Sequence, residues 1–234
     1  MAHDDITMQA LLAPFNAPEH ARLYGEGVSR FVPGIADLHR MMAILVAERA
    51  PENARILVLG AGGGLELRAM AQAHPRWTFV GVDPAGAMLD EARRVLGPDA
   101  PRVALCEGYI DDAPEGPFDA ATCLLTLHFL ETGERTRTLR ELRRRLTPGA
   151  PLVVAHSSFP QDGDARGLWL SRYAAFALAS GADPKQVENA SKSIDAHLPM
   201  LSPEQDEAIL RDAGFSDIAL FYAAFTWRGW VSYA

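Results

Sequence analysis

Apolar residues follow two rhythms along this chain, and the change of rhythm divides it. Ile35, Leu38, Met41, Met42, Leu45 and Val46 recur at helical spacing, which predicts an amphipathic helix facing a core. Before it, "PEHARLYGEGVSRF" runs up to Pro33 and Gly34, and "ITMQALLAPF" ends near Pro14. Both read as helical pieces without strand signals. Beyond Ala50 the apolar residues gather into short, near-continuous runs. "RILVLG", "WTFVGVD", "RVALCEG", "FDAATCLLTLHF" and "APLVVAHSS" read as strands. "GLELRAMAQAH", "AGAMLDEARRVLG" and "ERTRTLRELRRRL" read as helices among them. Runs of Val, Leu and Ile separated by helices predict a parallel sheet covered on both faces.

The alternation stops after Ser158. "DGDARGLWLSRYAAFALASG" reads as one helix, and the stretch up to Met200 is mixed and polar. "LSPEQDEAILRDAGF" is a helix with Ser202 as N-cap, Pro203 in the first turn and Gly214 as its stop. The closing "DIALFYAAFTWRGWVSYA" alternates, with a turn expected near Thr226 to Gly229, so it reads as an antiparallel pair. The predicted fold is α/β: a doubly wound, mostly parallel seven-stranded sheet in a single domain. Residues 1–50 supply N-terminal helices and 55–157 the ligand-binding core. Residues 158–200 form a helical insertion acting as a lid, and 201–234 the last helix and strand pair.

Composition narrows the class. The chain has 234 residues and a formal net charge of −8, which argues against a nucleic-acid surface as main partner. Its two cysteines, Cys106 and Cys123, lie in apolar runs and read as buried thiols of a reducing compartment. The start "MAHDDITMQA" lacks the basic flank and apolar region of a signal peptide. No apolar run approaches the ~20 residues of a membrane span. No residue cluster suggests a metal. A cytosolic enzyme acting on a small molecule is expected, with a homodimer left open.

The candidate chemistry starts at "ILVLGAGGGLELRAMA", where a strand ends in glycines and leads straight into a helix. Such a turn brings bare backbone against a ligand. A phosphate loop needs Gly-Lys-Ser/Thr, but Leu65 and Glu66 follow Gly64. The dinucleotide fingerprint needs a glycine where Leu65 stands. What remains is G-x-G-x-G at Gly60, Gly62 and Gly64, the spacing used to bind S-adenosylmethionine (SAM), although helix–strand packing also demands glycines. Asp83 ends the second strand roughly twenty residues later, where an acid accepts hydrogen bonds from two ribose hydroxyls. The competing role is a cap on the helix after Pro84, and the two roles are compatible.

"ILVLGAGGG", "VGVDPAGAMLDEAR", "FDAATCLLTLHFL" and "LTPGAPLVVA" resemble, in order and spacing, the class I SAM-dependent methyltransferases. More closely, "SRFVPGIADLHRMMAILVAER", "LTLHFLETGER" and "LSPEQDEAILRDAGFSDIALFYAAFTWRGWVSY" resemble the carboxy-SAM synthases of tRNA wobble-uridine modification and their methyltransferase relatives. The resemblance implies SAM as cofactor, held by Gly60, Ala61, Gly62, Gly64, Asp83, Pro84, Met88, Gly108, Tyr109, Ile110 and Leu125. The N-terminal helices are expected to cover it, with Tyr24 or Arg30 reaching its methionine end.

The chain also departs from those families. The acid two residues before the first glycine is Val58 here, and Gly-Asp after the third strand is Gly108-Tyr109. The Tyr, Asn and carboxylate-binding Arg implied for a carboxy-SAM synthase correspond to Ile35, Leu124 and Ser193, with Lys192 adjacent. A buried carboxylate without a cation costs several kcal/mol, so plain SAM is the expected cofactor and Lys192 the residue that bears on the choice. His128 and His156, at the ends of the fourth and fifth strands, are candidate general bases, or else hydrogen-bonded strand-end histidines. Trp169, Tyr173 and Phe176 read as core packing or a substrate wall. In "RELRRRL" the leucines form a buried stripe with Leu139, and the arginines a solvated face. The expected activity is methyl transfer to a small-molecule acceptor. The alternatives are carboxy-SAM synthesis and SAM binding without catalysis.

Overall fold

The computed structural model describes residues 11–234; residues 1–10, and with them the first half of the helical piece expected at "ITMQALLAPF", lie outside the described residues. Helix α1 (Pro18–Phe31) and α2 (Ile35–Ala47) precede the sheet. Next come β1 (Arg55–Leu59), α3 (Leu65–Ala73), β2 (Thr78–Asp83), α4 (Gly86–Leu96) and β3 (Val103–Glu107). They are followed by β4 (Ala120–Leu124), α5 (Thr132–Arg144) and β5 (Pro151–Ser157). Helices α6 (Gly163–Ala179), α7 (Pro184–His197) and α8 (Pro203–Asp212) lead to β6 (Ser216–Ala224) and β7 (Trp227–Tyr233).

The seven strands lie in the order β3-β2-β1-β4-β5-β7-β6. The first five pair in parallel, while β7 runs antiparallel to both β5 and β6. The sheet is therefore mixed, and the expectation of a mostly parallel one is corrected by the C-terminal hairpin. Side-chain alternation divides the core between two faces. Ile56, Val58 and Phe79 pack with Leu38 and Met42 of α2, Leu67 and Met70 of α3 and Leu89 of α4. Leu57, Val80 and Val82 pack with Leu139 and Leu142 of α5 and Ile209 and Leu210 of α8.

Three local readings need revision. The strand expected through "FDAATCLLTLHF" stops at Leu124, because Leu125 turns to φ 56° and a short 3-10 turn follows at Leu127–Phe129. The polar stretch before Met200 contains α7, whose Asp183 accepts from the N–H groups of Lys185 and Gln186 with Pro184 in the first turn. That Asp-Pro pair is an N-terminal signal legible in the sequence. The final turn falls at Phe225 and Thr226, with Phe225 at φ 51° and no glycine in it. By contrast α8 carries the expected Ser202 cap, closed as a box by Gln205.

The arginines of α5 are not one solvated face. Arg145 is buried against Glu141, and Arg135, one turn into the helix, is 1% exposed. Arg135 bonds Asp206 of α8 at 2.5 Å and donates to the carbonyls of Leu130 and Pro199. His156 Nε2 stands 3.2 Å from the same Asp206 oxygen. Burial alone would raise the Asp206 carboxyl, but His156, Arg135 and Ser158 outweigh it and hold the group at about 2. This cluster ties α5, α8 and β5 together beneath the insertion. Asp206→Ala would leave the guanidinium buried without its anion, and urea denaturation at pH 7 is expected to show a loss of about 3–5 kcal/mol. Because the folded value lies below the ordinary carboxylate value of about 3.9, this contribution is complete above about pH 4 and is lost as pH falls toward 2. Wild-type and variant stabilities should converge over that window.

Candidate functional site

The glycine turn is held from beneath by the end of β2. The Val82 carbonyl accepts from the Gly60 and Ala61 N–H groups at 2.8 and 3.0 Å. Asp83 Oδ2 accepts from the Gly62 N–H at 2.8 Å, and Oδ1 from the Ala85 N–H at 2.9 Å. Burial pushes the Asp83 carboxyl up, and the two N–H bonds act against that. Each oxygen keeps a further lone pair for a ligand hydroxyl.

The three motif glycines answer to three different constraints. A Cβ at Gly60 would overlap the Thr126 hydroxyl, where the turn after β4 closes on the loop. At Gly64 it would meet the Ala92 Cα at 2.9 Å, so this glycine serves the packing of the turn on α4. At Gly62 it would project toward Met88 and the Asp83 Oδ2, 3.5 and 4.0 Å away. All three have positive φ, between 45° and 77°.

Above the turn lies a cleft of about 920 Å³, its open mouth included. Gly60, Gly62, Asp83 and Pro84 form one wall, and Met88, Gly108, Tyr109 and Ile110 a second. Leu124, Leu125, Thr126, Phe129 and Leu130 form the side toward β4. Leu11, Leu12, Phe15 and Tyr24 roof it, with the Phe15 and Phe129 rings edge to face at 5.9 Å. Among the described residues its ionisable carboxylates are Asp83 and Glu134, and no lysine, arginine or histidine lines it. Such a lining opposes a pyrophosphate and accepts a neutral or cationic ligand rich in hydroxyls and apolar surface.

A smaller hollow of about 310 Å³ lies on the other side of the turn, sharing Tyr24, Gly60, Gly62, Leu124 and Leu125 with the cleft. Ile35, His39 and Glu66 line it as well. Glu66 is 7% exposed and accepts from the Thr122 hydroxyl at 3.0 Å. Burial pushes its carboxyl up to about 8, the Thr122 bond working against this and the Asp83 charge adding to it. His39 is pushed down to about 4 by burial and by Arg68, so its imidazole is neutral at pH 7. Burial raises the Tyr24 phenol, with Glu66 and Asp83 adding to the shift, so it stays protonated.

A family of methyltransferase domains matches residues 56–149 of this chain. A carboxy-S-adenosyl-L-methionine synthase of Klebsiella pneumoniae is 24% identical over 240 residues, covering 99% of this chain and 97% of its own. One from Chromohalobacter salexigens is 24% identical over 210 residues, covering 88% and 78%. Among solved structures, an O-methyltransferase family protein from Burkholderia thailandensis matches with a TM-score of 0.64 at 16% identity. Human N-acetylserotonin methyltransferase in complex with SAM matches at 0.62 and 15%. These two likenesses cover 94% and 95% of this chain, which spans 61% and 58% of theirs. Residues 56–149 thus match a methyltransferase domain, and the fold is shared with methyltransferases whose cofactor is SAM.

The cleft suits that cofactor on its own geometry. Gly62 leaves open the space that a Cβ would fill beside Met88, and Asp83 faces it with spare lone pairs. Most residues named from the sequence meet here: Gly60, Gly62, Asp83, Pro84, Met88, Gly108, Tyr109, Ile110 and Leu125 line the cleft. Ala61 lines the smaller hollow, and Gly64 lines neither. Tyr24 lines both, whereas Arg30 is exposed on α1.

Neither candidate histidine lines the cleft. His128 is buried with Nδ1 3.5 Å from the Ser157 N–H, and its basicity is held well down by burial and by the facing His156 and Arg135. His156 is 1% exposed within the Asp206 cluster. Residues 158–200 do not line the cleft either. Tyr173 packs on Phe31 of α1 at 5.8 Å, so this insertion buttresses the roof-bearing helix. Lys192 is exposed and paired with Glu188 at 2.6 Å.

Sequence reasoning missed Phe15, Thr126, Phe129 and above all Glu66. A signal for Glu66 existed: it shares the buried stripe of α3 with Leu67, Met70 and Ala71. Gly60→Ala is expected to lower stability by at least the ~1–2 kcal/mol of a left-handed alanine, with further loss from the Thr126 collision. Adding Thr126→Gly should restore only the collision part, measured by urea denaturation of both variants.

Proposed function

We propose that this protein transfers a methyl group from SAM to a small-molecule acceptor bound in the same cleft. The observation that carries the reading is the Asp83 carboxylate, anchored by two backbone N–H groups and facing, beside Gly62, a cleft whose described residues include no cation. Asp83 receives the ribose hydroxyls, while Met88 and Ile110 enclose the adenine with Tyr109 at its edge. Ala61 and Leu125 border the methionine end, and Gly64 keeps the turn in shape. When bound, SAM supplies an electrophilic methyl on a sulfonium. The chain's contribution is alignment and exclusion of water, for which Phe15, Phe129 and Leu130 form an apolar wall.

The names of the curated relatives make carboxy-SAM synthesis the second reading. A bound carboxylate group needs a cation, and the cleft lining holds none among the described residues. Lys192 is engaged at the surface with Glu188. An RNA surface also lacks support, since Arg137 and Arg144 are paired with Asp111, Glu134 and Glu141. The two free thiols support a reducing, cytosolic setting.

Mass spectrometry of ligand carried through purification separates the readings. SAM or S-adenosylhomocysteine fits methyl transfer, and carboxy-SAM fits the second. A screen of acceptors with methyl-labelled SAM then tests turnover, and absence of transfer to any acceptor would favour a binding protein without catalysis. Asp83→Ala removes two charge-assisted bonds worth about 1.5–3 kcal/mol each, part of which rearranged water recovers. Calorimetric titration is expected to show SAM affinity falling on the order of a hundredfold with the fold retained. An affinity within about threefold of wild type would reduce Asp83 to a cap.

A further inference from the structure

Glu66 is a buried acid that the ribose contact does not use. Thr122 on β4 is the partner of its carboxyl, and its other electrostatic neighbour is a second acid, Asp83. Thr122 is the register partner of Val58 on β1, so an apolar strand residue stands beside the carboxyl and no β1 acid competes for the place. Ionising a carboxyl in such a position costs free energy, and the Thr122 hydrogen bond offsets only part of that cost.

The hollow that Glu66 lines is continuous with the glycine turn through Gly60 and Gly62. A nucleoside with its ribose on Asp83 that extends past the turn enters this hollow. There it meets the Glu66 carboxyl, the neutral His39 imidazole and the protonated Tyr24 phenol. One acid with two neutral donors complements an α-amino acid, whose ammonium seeks an anion and whose carboxylate seeks N–H and O–H groups. Resting on the SAM reading above, we propose that Glu66 is the positioning residue that pairs with the α-ammonium of the ligand's amino-acid end.

Pairing has a proton consequence. With its carboxyl at about 8, Glu66 is mostly protonated at pH 7 before the ligand arrives. A bound ammonium favours the ionised form, so binding expels close to one proton to solvent. The titratable groups around it are Asp83, Tyr24 of α1, His39 of α2 and Cys123 of β4. Tyr24 and Cys123 are pushed up and His39 down by burial, so none of these three titrates near pH 7.

The test is calorimetric titration of the full chain and of Glu66→Gln, which keeps an oxygen for the Thr122 hydroxyl. S-adenosylhomocysteine carries the amino-acid end, and 5′-methylthioadenosine lacks it. Glu66→Gln is expected to weaken S-adenosylhomocysteine by about tenfold to thirtyfold and to leave 5′-methylthioadenosine within about twofold. In buffers of different ionisation enthalpy, the wild type should release close to one proton with S-adenosylhomocysteine at pH 7, and the variant none. Equal weakening of both ligands, unchanged affinity for S-adenosylhomocysteine, or proton release that persists in the variant would each overturn the assignment. Failure of both ligands to bind the wild type would instead overturn the SAM reading itself, and this inference with it.

Discussion

The cleft depends on one carboxylate that joins two backbone segments. Asp83 bonds the N–H of Gly62 with one oxygen and that of Ala85 with the other. The first bond holds the turn between β1 and α3, and the second sets the entry to α4. Without this bridge the turn would rely on the Val82 carbonyl, which already accepts from Gly60 and Ala61. Burying an acid is costly, and here two N–H groups offset part of that cost while leaving lone pairs for a ligand. The same atoms thus shape the turn and keep lone pairs open toward the cleft.

The turn is also clamped from the β4 side. Thr126 approaches Gly60 so closely that only a residue without Cβ fits, and Thr126 in turn donates to the Leu124 carbonyl. Leu125 pays with a positive φ of 56° and donates its N–H to Ala155 on β5. The cleft floor is therefore fixed to three central strands. The Arg135–Asp206 cluster sits behind β5 and holds α5 and α8 against this floor. His128 and His156 belong to that support, remote from the open space above.

The roof is built by distant segments. Trp227 on the C-terminal hairpin donates its indole N–H to the Phe31 carbonyl, and Tyr222 donates to that of Pro33. Those two bonds fasten the junction between α1 and α2, which positions Tyr24 and His39 over the glycine turn. The insertion adds Tyr173 against Phe31. Sequence order hides this arrangement because the contacts span almost the whole chain.

By itself the sequence determined most of the elements and the glycine-turn motif, because both rest on local physics. Periodicity shows which faces of α2, α5 and α8 are buried, and strands flanked by glycine or Asp-Pro announce their own ends. The G-x-G-x-G spacing and Asp83 are legible for the same reason: a ligand turn needs its residues at fixed separation. Tertiary structure decided what each of those residues does. Gly64 serves α4 packing and Gly62 the cleft, a distinction that depends on Ala92 and Met88 rather than on spacing. Arg145 looked solvated because an arginine's partner cannot be read from its spacing alone. Glu66 carried no site reading in the sequence; its role follows from β4 bringing Thr122 beside it and α1 and α2 closing over the hollow. Burial and pairing are properties of where distant segments meet, and only the folded chain settles them.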